Sequence, residues 1–171
     1  MQGEISDDTP GDFYEKNGEI FQVIDMSNIS RIPQLYLRLG LGLGFLIPVA
    51  DRMGWLGVPG QNGVSWGNWG NFVTYTNTLL PFLSRQLAGV MGLLATIAEA
   101  LIGACLVIGF KTRVAAYGGF LLTLLFALCM ALFVGIKAPF NYSVFSDSAG
   151  SLLLAFVPIY NWSFDNGFKG S

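Results

Sequence analysis

Between Gln86 and Phe110 the chain carries a single Asp, Glu, Lys or Arg, and that residue is Glu99. An ionisable side chain at such a depth in an apolar helix costs about 2.5 to 3.5 kcal/mol on insertion scales and marks an ion pair, a proton relay or a ligand site. At helical spacing around Glu99 lie Ala88, Gly92, Ala95, Thr96 and Gly103. A stripe of small residues lets a second backbone approach closely, so the acid is expected to face protein rather than lipid. Its expected partner is Arg38, in the first apolar run and set among Gly40, Gly42 and Gly44. At 1.5 Å per residue Arg38 sits about 7 Å, and Glu99 about 15 Å, from the same edge. A long guanidinium stem and some tilt close that gap; the competing fate of Arg38 is to snorkel to the headgroups.

The elements that must position these residues follow from hydropathy. The chain has 171 residues, 53% hydrophobic and 12% charged, with a mean hydropathy of +0.55, a composition suited to a small membrane protein. A span needs roughly 20 helical residues. Runs at about Gln34 to Met53, Arg85 to Phe110 and Val114 to Ile136 meet that length, and a shorter fourth, SDSAGSLLLAFVPIYNWSF from Ser146 to Phe164, contains Pro158. Neighbouring helices can satisfy the carbonyl that a proline frees, so the fourth is kept as a span. The expected fold is all-α, an integral membrane four-helix bundle over residues 31–165, preceded by an acidic extension, 1–30, and followed by a short tail, 166–171. Within the extension EIFQVID could form a short strand or interfacial segment, and no charged and apolar leader opens the chain.

With four spans, Lys16, Arg31, Lys111, Arg113 and Lys169 collect on one side and Arg52, Arg85 and Lys137 on the other. That balance places both termini in the cytoplasm. The connection from Gly54 to Ser84 holds Trp55, Trp66 and Trp69 among Gly and Asn. It is read either as an interfacial anchor or as a cap on a cavity between the helices. Near the start of the fourth run Asn141, Tyr142 and Asp147 come together, and Asp147 suits the first turn of a helix. Asp165, beyond the apolar run, is expected to be solvated.

Other chemistry is excluded or disfavoured. With no His in the chain, His-ligated haem, zinc and copper sites cannot form. No nucleotide-binding fingerprint occurs, and no basic stripe suggests nucleic acid. Cys105 and Cys129 fall in different spans at depths of about 7 and 22 Å, too far apart for a disulfide, and are read as packing residues.

The pattern YLRLGLGLGFL, then ATIAEALIGACLVIGFKTRVAA, then GIKAPFNYSVFSDSAGSLLLAF resembles the DoxX/DoxD family of small four-span bacterial membrane proteins, over about Arg31 to Phe164. Its most specific part is Glu99, Gly103, Gly109, Thr112 and Arg113, combined with Arg38. The resemblance implies a multi-pass protein of the bacterial inner membrane that works with other membrane-associated subunits, the DoxD type being the small subunit of a thiosulfate:quinone oxidoreductase. Under it, Arg38 and Glu99 are expected to act on a quinone, with Asn141 and Tyr142 helping to bind it. Three readings stay open: a quinone-interacting or anchoring subunit of an oxidoreductase complex, a structural subunit, and a small proton-coupled carrier.

Overall fold

The computed structural model describes residues 31–167; the expectations for the acidic extension and the last residues of the tail lie outside that range. Among the described residues every regular element is a helix. In chain order these are α1 (Arg31–Arg52), α2 (Trp69–Leu79), α3 (Arg85–Ile108), α4 (Thr112–Cys129) running on into a π-helical turn (Met130–Val134), α5 (Ala138–Asn141), α6 (Val144–Ala155) and α7 (Phe164–Gly167). Three of them, α1, α3 and α4 with its π turn, are long and apolar enough to cross a membrane. Their outer faces carry Leu43, Ile47, Leu93, Ile97, Leu101, Leu121 and Leu125, all exposed. So continuous an apolar belt would be unfavourable in water, and it points to lipid as its solvent.

The helices form a ring in which α1 packs on α3, α3 on α4, α4 on α6, and α6 closes back on α1. The close approach of α1 to α3 is set by glycines. A Cβ on Gly103 would lie 2.9 Å from the Gly42 carbonyl oxygen, and one on Gly42 would lie 2.8 Å from Val107. The seam between α1 and α6 is the loosest of the four.

The fourth run departs from its expected helix. α6 ends at Ala155, ahead of Pro158, because the residue before a proline is pushed away from helical geometry and proline itself donates nothing. At 12 residues it is about 18 Å long, well short of a hydrocarbon core of about 30 Å.

The irregular chain that follows α6 is satisfied by side chains. The Tyr160 hydroxyl donates to the Leu154 carbonyl at 3.0 Å, Arg113 donates to Val157 at 3.2 Å, and Arg38 donates to Trp162 at 2.7 Å and Asn161 at 3.4 Å. The Asn161 N–H donates to the Gln34 side-chain oxygen at 3.1 Å. Except at Leu154, whose carbonyl also accepts from the Val157 N–H at 3.2 Å, these bonds occupy backbone groups that the broken helix leaves without a helical partner.

Asp165 is not free in solvent. Its two carboxylate oxygens accept the backbone N–H groups of Lys111 at 2.7 Å and Thr112 at 2.8 Å, which are otherwise orphan donors at the start of α4. The tight turn from α3 to α4 needs Gly109 in the left-handed region, φ 79°, with Arg38 and Ser163 packed against it. Burial pushes the Asp165 carboxyl up, but the hydrogen bonds from Thr112 and Lys111 and the nearby Arg38 charge outweigh it. The group is held below the ordinary aspartate value. Both ends of the described chain therefore gather with this turn at one end of the bundle.

Candidate site: an intramembrane cavity headed by a buried ion pair

Glu99 lies on the buried face of α3 with Ala88, Gly92, Thr96 and Gly103, as the small-residue stripe requires. Its partner is Arg52, with Arg52 Nη1 2.6 Å from Glu99 Oε2 and both side chains buried. The same Nη1 donates to the Thr96 hydroxyl at 2.8 Å, and Thr96 donates in turn to the Gly92 carbonyl. The expected pairing of Glu99 with Arg38 is thus overturned. Direction explains the error: helical side chains lean toward their own N-terminus, and α1 and α3 run antiparallel. Arg38 leans toward the α3–α4 turn while Glu99 leans the opposite way, toward the end of α1, where Arg52 leans down to meet it.

The head of the site is built by the connection after α1. Asp51, also buried, accepts backbone N–H groups from Ser65 at 2.9 Å, Trp66 at 3.0 Å and Gly67 at 3.1 Å. Fixing that loop lays Trp66 over Arg52, with the guanidinium carbon 5.2 Å from the indole centroid and 4.0 Å from that of Phe72 on α2. A desolvated cation between two aromatic faces gains about 2 kcal/mol or more. Trp66 itself packs edge-on to Phe72 and against Tyr75. Trp55, by contrast, is exposed, as an anchor would be.

Beneath this head lies a cavity of about 1320 Å³. Its lining is mostly apolar and comes from α1, α2, α3, α4 and α6, with Trp66 of the loop after α1. The cap reading of the tryptophan-rich connection therefore fits Trp66, which lies in the loop ahead of α2. Glu99, Arg52 and Asp51 line the cavity at its capped end, Cys129 lies in its wall, and Asp147 and Tyr142 lie on the α6 side. Both cysteines are free.

Of the four residues expected to meet a ligand, Glu99 and Tyr142 line the cavity; Arg38 and Asn141 do not. Arg38 is consumed by the backbone of the last segment, and Asn141 ends the short α5. The residues that sequence reasoning missed are Asp51 and Arg52. Their signal was the dipeptide Asp-Arg at the very end of an apolar run, where a charge reads equally well as solvated.

The arrangement can hold a polar head and an apolar body. The contacts of the Arg52 guanidinium with Thr96 and Glu99 both use Nη1, and its buried Nε has no hydrogen-bond partner among the described residues. The ion pair engages Glu99 Oε2, which is fully buried. Among the described residues no group of three acidic, His or Cys side chains comes together as a metal site would require. No family model matches the chain, and no curated protein or solved structure matches it.

Proposed function

We propose that this chain is a multi-pass membrane protein of the DoxX/DoxD kind whose cavity binds a quinone on behalf of an oxidoreductase complex. The observation that carries the reading is the mostly apolar cavity with Arg52 and Glu99 buried at its capped end. Pockets for small molecules of this class combine apolar walls with a few placed polar groups. A quinone fits that donor set, with a flat apolar ring and carbonyl oxygens that accept from a guanidinium. When bound it would supply two-electron, two-proton redox chemistry, with electrons exchanged through partner subunits.

The chain's own part is to bind and orient. Arg52, held between Phe72 and Trp66, presents its charge; Glu99 holds the guanidinium in place and offers a carboxylate for a proton; α2 and Trp66 line the end of the cavity beside them. In the bilayer α6 and the satisfied segment after it make the fourth crossing. With Arg52 drawn into the bundle, the cation balance becomes five (Lys16, Arg31, Lys111, Arg113, Lys169) against two (Arg85, Lys137), which supports both termini in the cytoplasm of a bacterial inner membrane.

The test is purification in mild detergent, mass spectrometry of co-eluting small molecules, and titration with a decyl-substituted benzoquinone read by quenching of tryptophan fluorescence. Saturable binding that Glu99→Gln and Arg52→Lys each weaken, in protein that still folds, is expected. Binding that ignores both substitutions, or none at all, removes the quinone reading. A second reading is favoured by the closure of the Arg52–Glu99–Thr96 cluster on itself: the pair fixes helix register in a structural subunit. Co-purification of a large partner without any quinone would select it.

A further inference from the structure

Asp147 lines the cavity from the first turn of α6, and its carboxylate has no hydrogen-bond or ion-pair partner among the described residues. As the fourth residue after Ser143 it stands one place beyond the position from which a side chain reaches back to an N-cap. The hydroxyls beside it on α6 do not serve it either. Ser148 donates to the Phe120 carbonyl at 3.3 Å, and Ser151 is fully buried with its hydroxyl unpartnered. The depth of Asp147 follows from its neighbours. A Cβ on Gly150 would lie 3.4 Å from Leu37 and 3.7 Å from Leu41, and Leu41 is near the middle of α1. The chain after α6 goes on to Gln34 and Arg38, so stepping back from Gly150 to Asp147 moves about 4.5 Å toward the Arg52 end. Asp147 therefore stands near mid-height in the bundle, where an acid without a partner is costly and marks a functional site. Across the cavity stands Glu99, since α3 and α6 are diagonal in the ring and both acids line the same space. Gly103 packs on Gly42 and Leu46, which puts Glu99 roughly level with Pro48 and about 9 Å nearer the Arg52 end than Asp147.

We propose that Asp147 contacts the ligand, taking up a proton as a quinone binds and donating it in a hydrogen bond to the ring oxygen remote from Arg52. The inference rests on the quinone reading and adds a second contact, on the opposite wall. The two oxygens of a para-quinone point away from each other and can only accept, so each needs a donor. Arg52 stands at one end; at the other a carboxylate cannot donate, whereas a carboxylic acid can. No cation competes for Asp147. Arg52 is the only cation of the lining and is engaged by Glu99, Asp51 is occupied by three backbone N–H groups, and Tyr75 of α2, Cys129 of α4 and Tyr142 bring no positive charge. The step is balanced: one proton passes from water to an Asp147 oxygen, no electron moves, and no covalent bond of the ligand changes.

The experiment titrates the full-length protein in detergent with a decyl-substituted benzoquinone, by calorimetry at a series of pH values, and repeats the series with decylbenzene, which keeps the chain and lacks both oxygens. Affinity of the unaltered protein for the quinone should be greatest in acid and fall as pH rises through the Asp147 pKa, by up to about tenfold per pH unit for one proton. Decylbenzene should show no such slope. Asp147→Asn keeps a donor of similar shape but has no proton to take up, so it should bind the quinone with a flat pH profile. Glu99→Gln should bind more weakly throughout and keep the slope. A slope that survives in Asp147→Asn overturns the proposal, and its loss in Glu99→Gln would then place the proton at the ion pair. Quinone binding to the unaltered protein without a slope overturns it too, as does an equal slope for decylbenzene, which would mean that the proton answers to filling of the cavity and not to an oxygen. If Asp147→Asn no longer folds, Asp147 has a structural role and the proposal is wrong. Failure of the unaltered protein to bind the quinone at any pH refutes the quinone reading itself and takes this inference with it.

Discussion

Arg52 and Glu99 meet at 2.6 Å inside the bundle, joining the last residue of α1 to the middle of α3. Removing one partner of a buried pair strands the other charge, at a cost of about 3 to 5 kcal/mol, while removing both is far better tolerated. Glu99→Gln and Arg52→Gln should each lower the thermal unfolding midpoint sharply, with the double variant recovering much of the loss. In the same cycle Arg38→Gln should be additive with Glu99→Gln to within about 0.5 kcal/mol. Strong coupling between residues 38 and 99 would contradict the geometry.

Arg38 serves the backbone after α6. Replacing it by Ala strands the carbonyls of Asn161 and Trp162 and should cost about 1 to 3 kcal/mol. The loss should be local, with faster amide exchange across residues 156–165 and little change in the middle of α3. Uniform loss of protection throughout the bundle would argue for a wider role.

Asp165 makes the α3–α4 turn sensitive to acid. Its folded pKa is depressed, so its cap contributes stability that is fully present above the ordinary aspartate value of about 3.9 and is lost as pH falls through the lower folded value. Unfolding midpoints measured from neutral pH downward should fall more steeply in the unaltered protein than in Asp165→Asn, whose curve should start lower and be flatter. Parallel curves would remove Asp165 from the turn.

The glycines of α1 should separate by a single methyl group. Gly42→Ala places a Cβ 2.8 Å from Val107 and 3.2 Å from the Gly103 carbonyl, and should destabilise by about 1 to 3 kcal/mol through overpacking. Gly40→Ala meets open space and should be neutral or stabilise by up to about 1 kcal/mol through helix propensity. Similar effects at the two positions would mean that the contact of α1 with α3 is not as close as described.

The boundaries of α1, α3 and α4 were legible to within a few residues because hydrophobic length is a local property of the chain. The protein-facing side of Glu99 was legible too, since a small-residue stripe and an acid on one helical face admit a single burial pattern. Partner choice was not. It depends on how two antiparallel helices are registered and on the opposite lean of their side chains, quantities set by contacts such as Gly42 against Gly103. The roles of Asp51, Asp165 and Arg38 were hidden for a related reason: each satisfies backbone groups distant in sequence, and those groups are orphaned only once the loop after α1, the α3–α4 turn and the chain beyond Ala155 have taken their shapes. Hydropathy and spacing decide which segments leave water; only the packed bundle decides which polar groups are left needing one another.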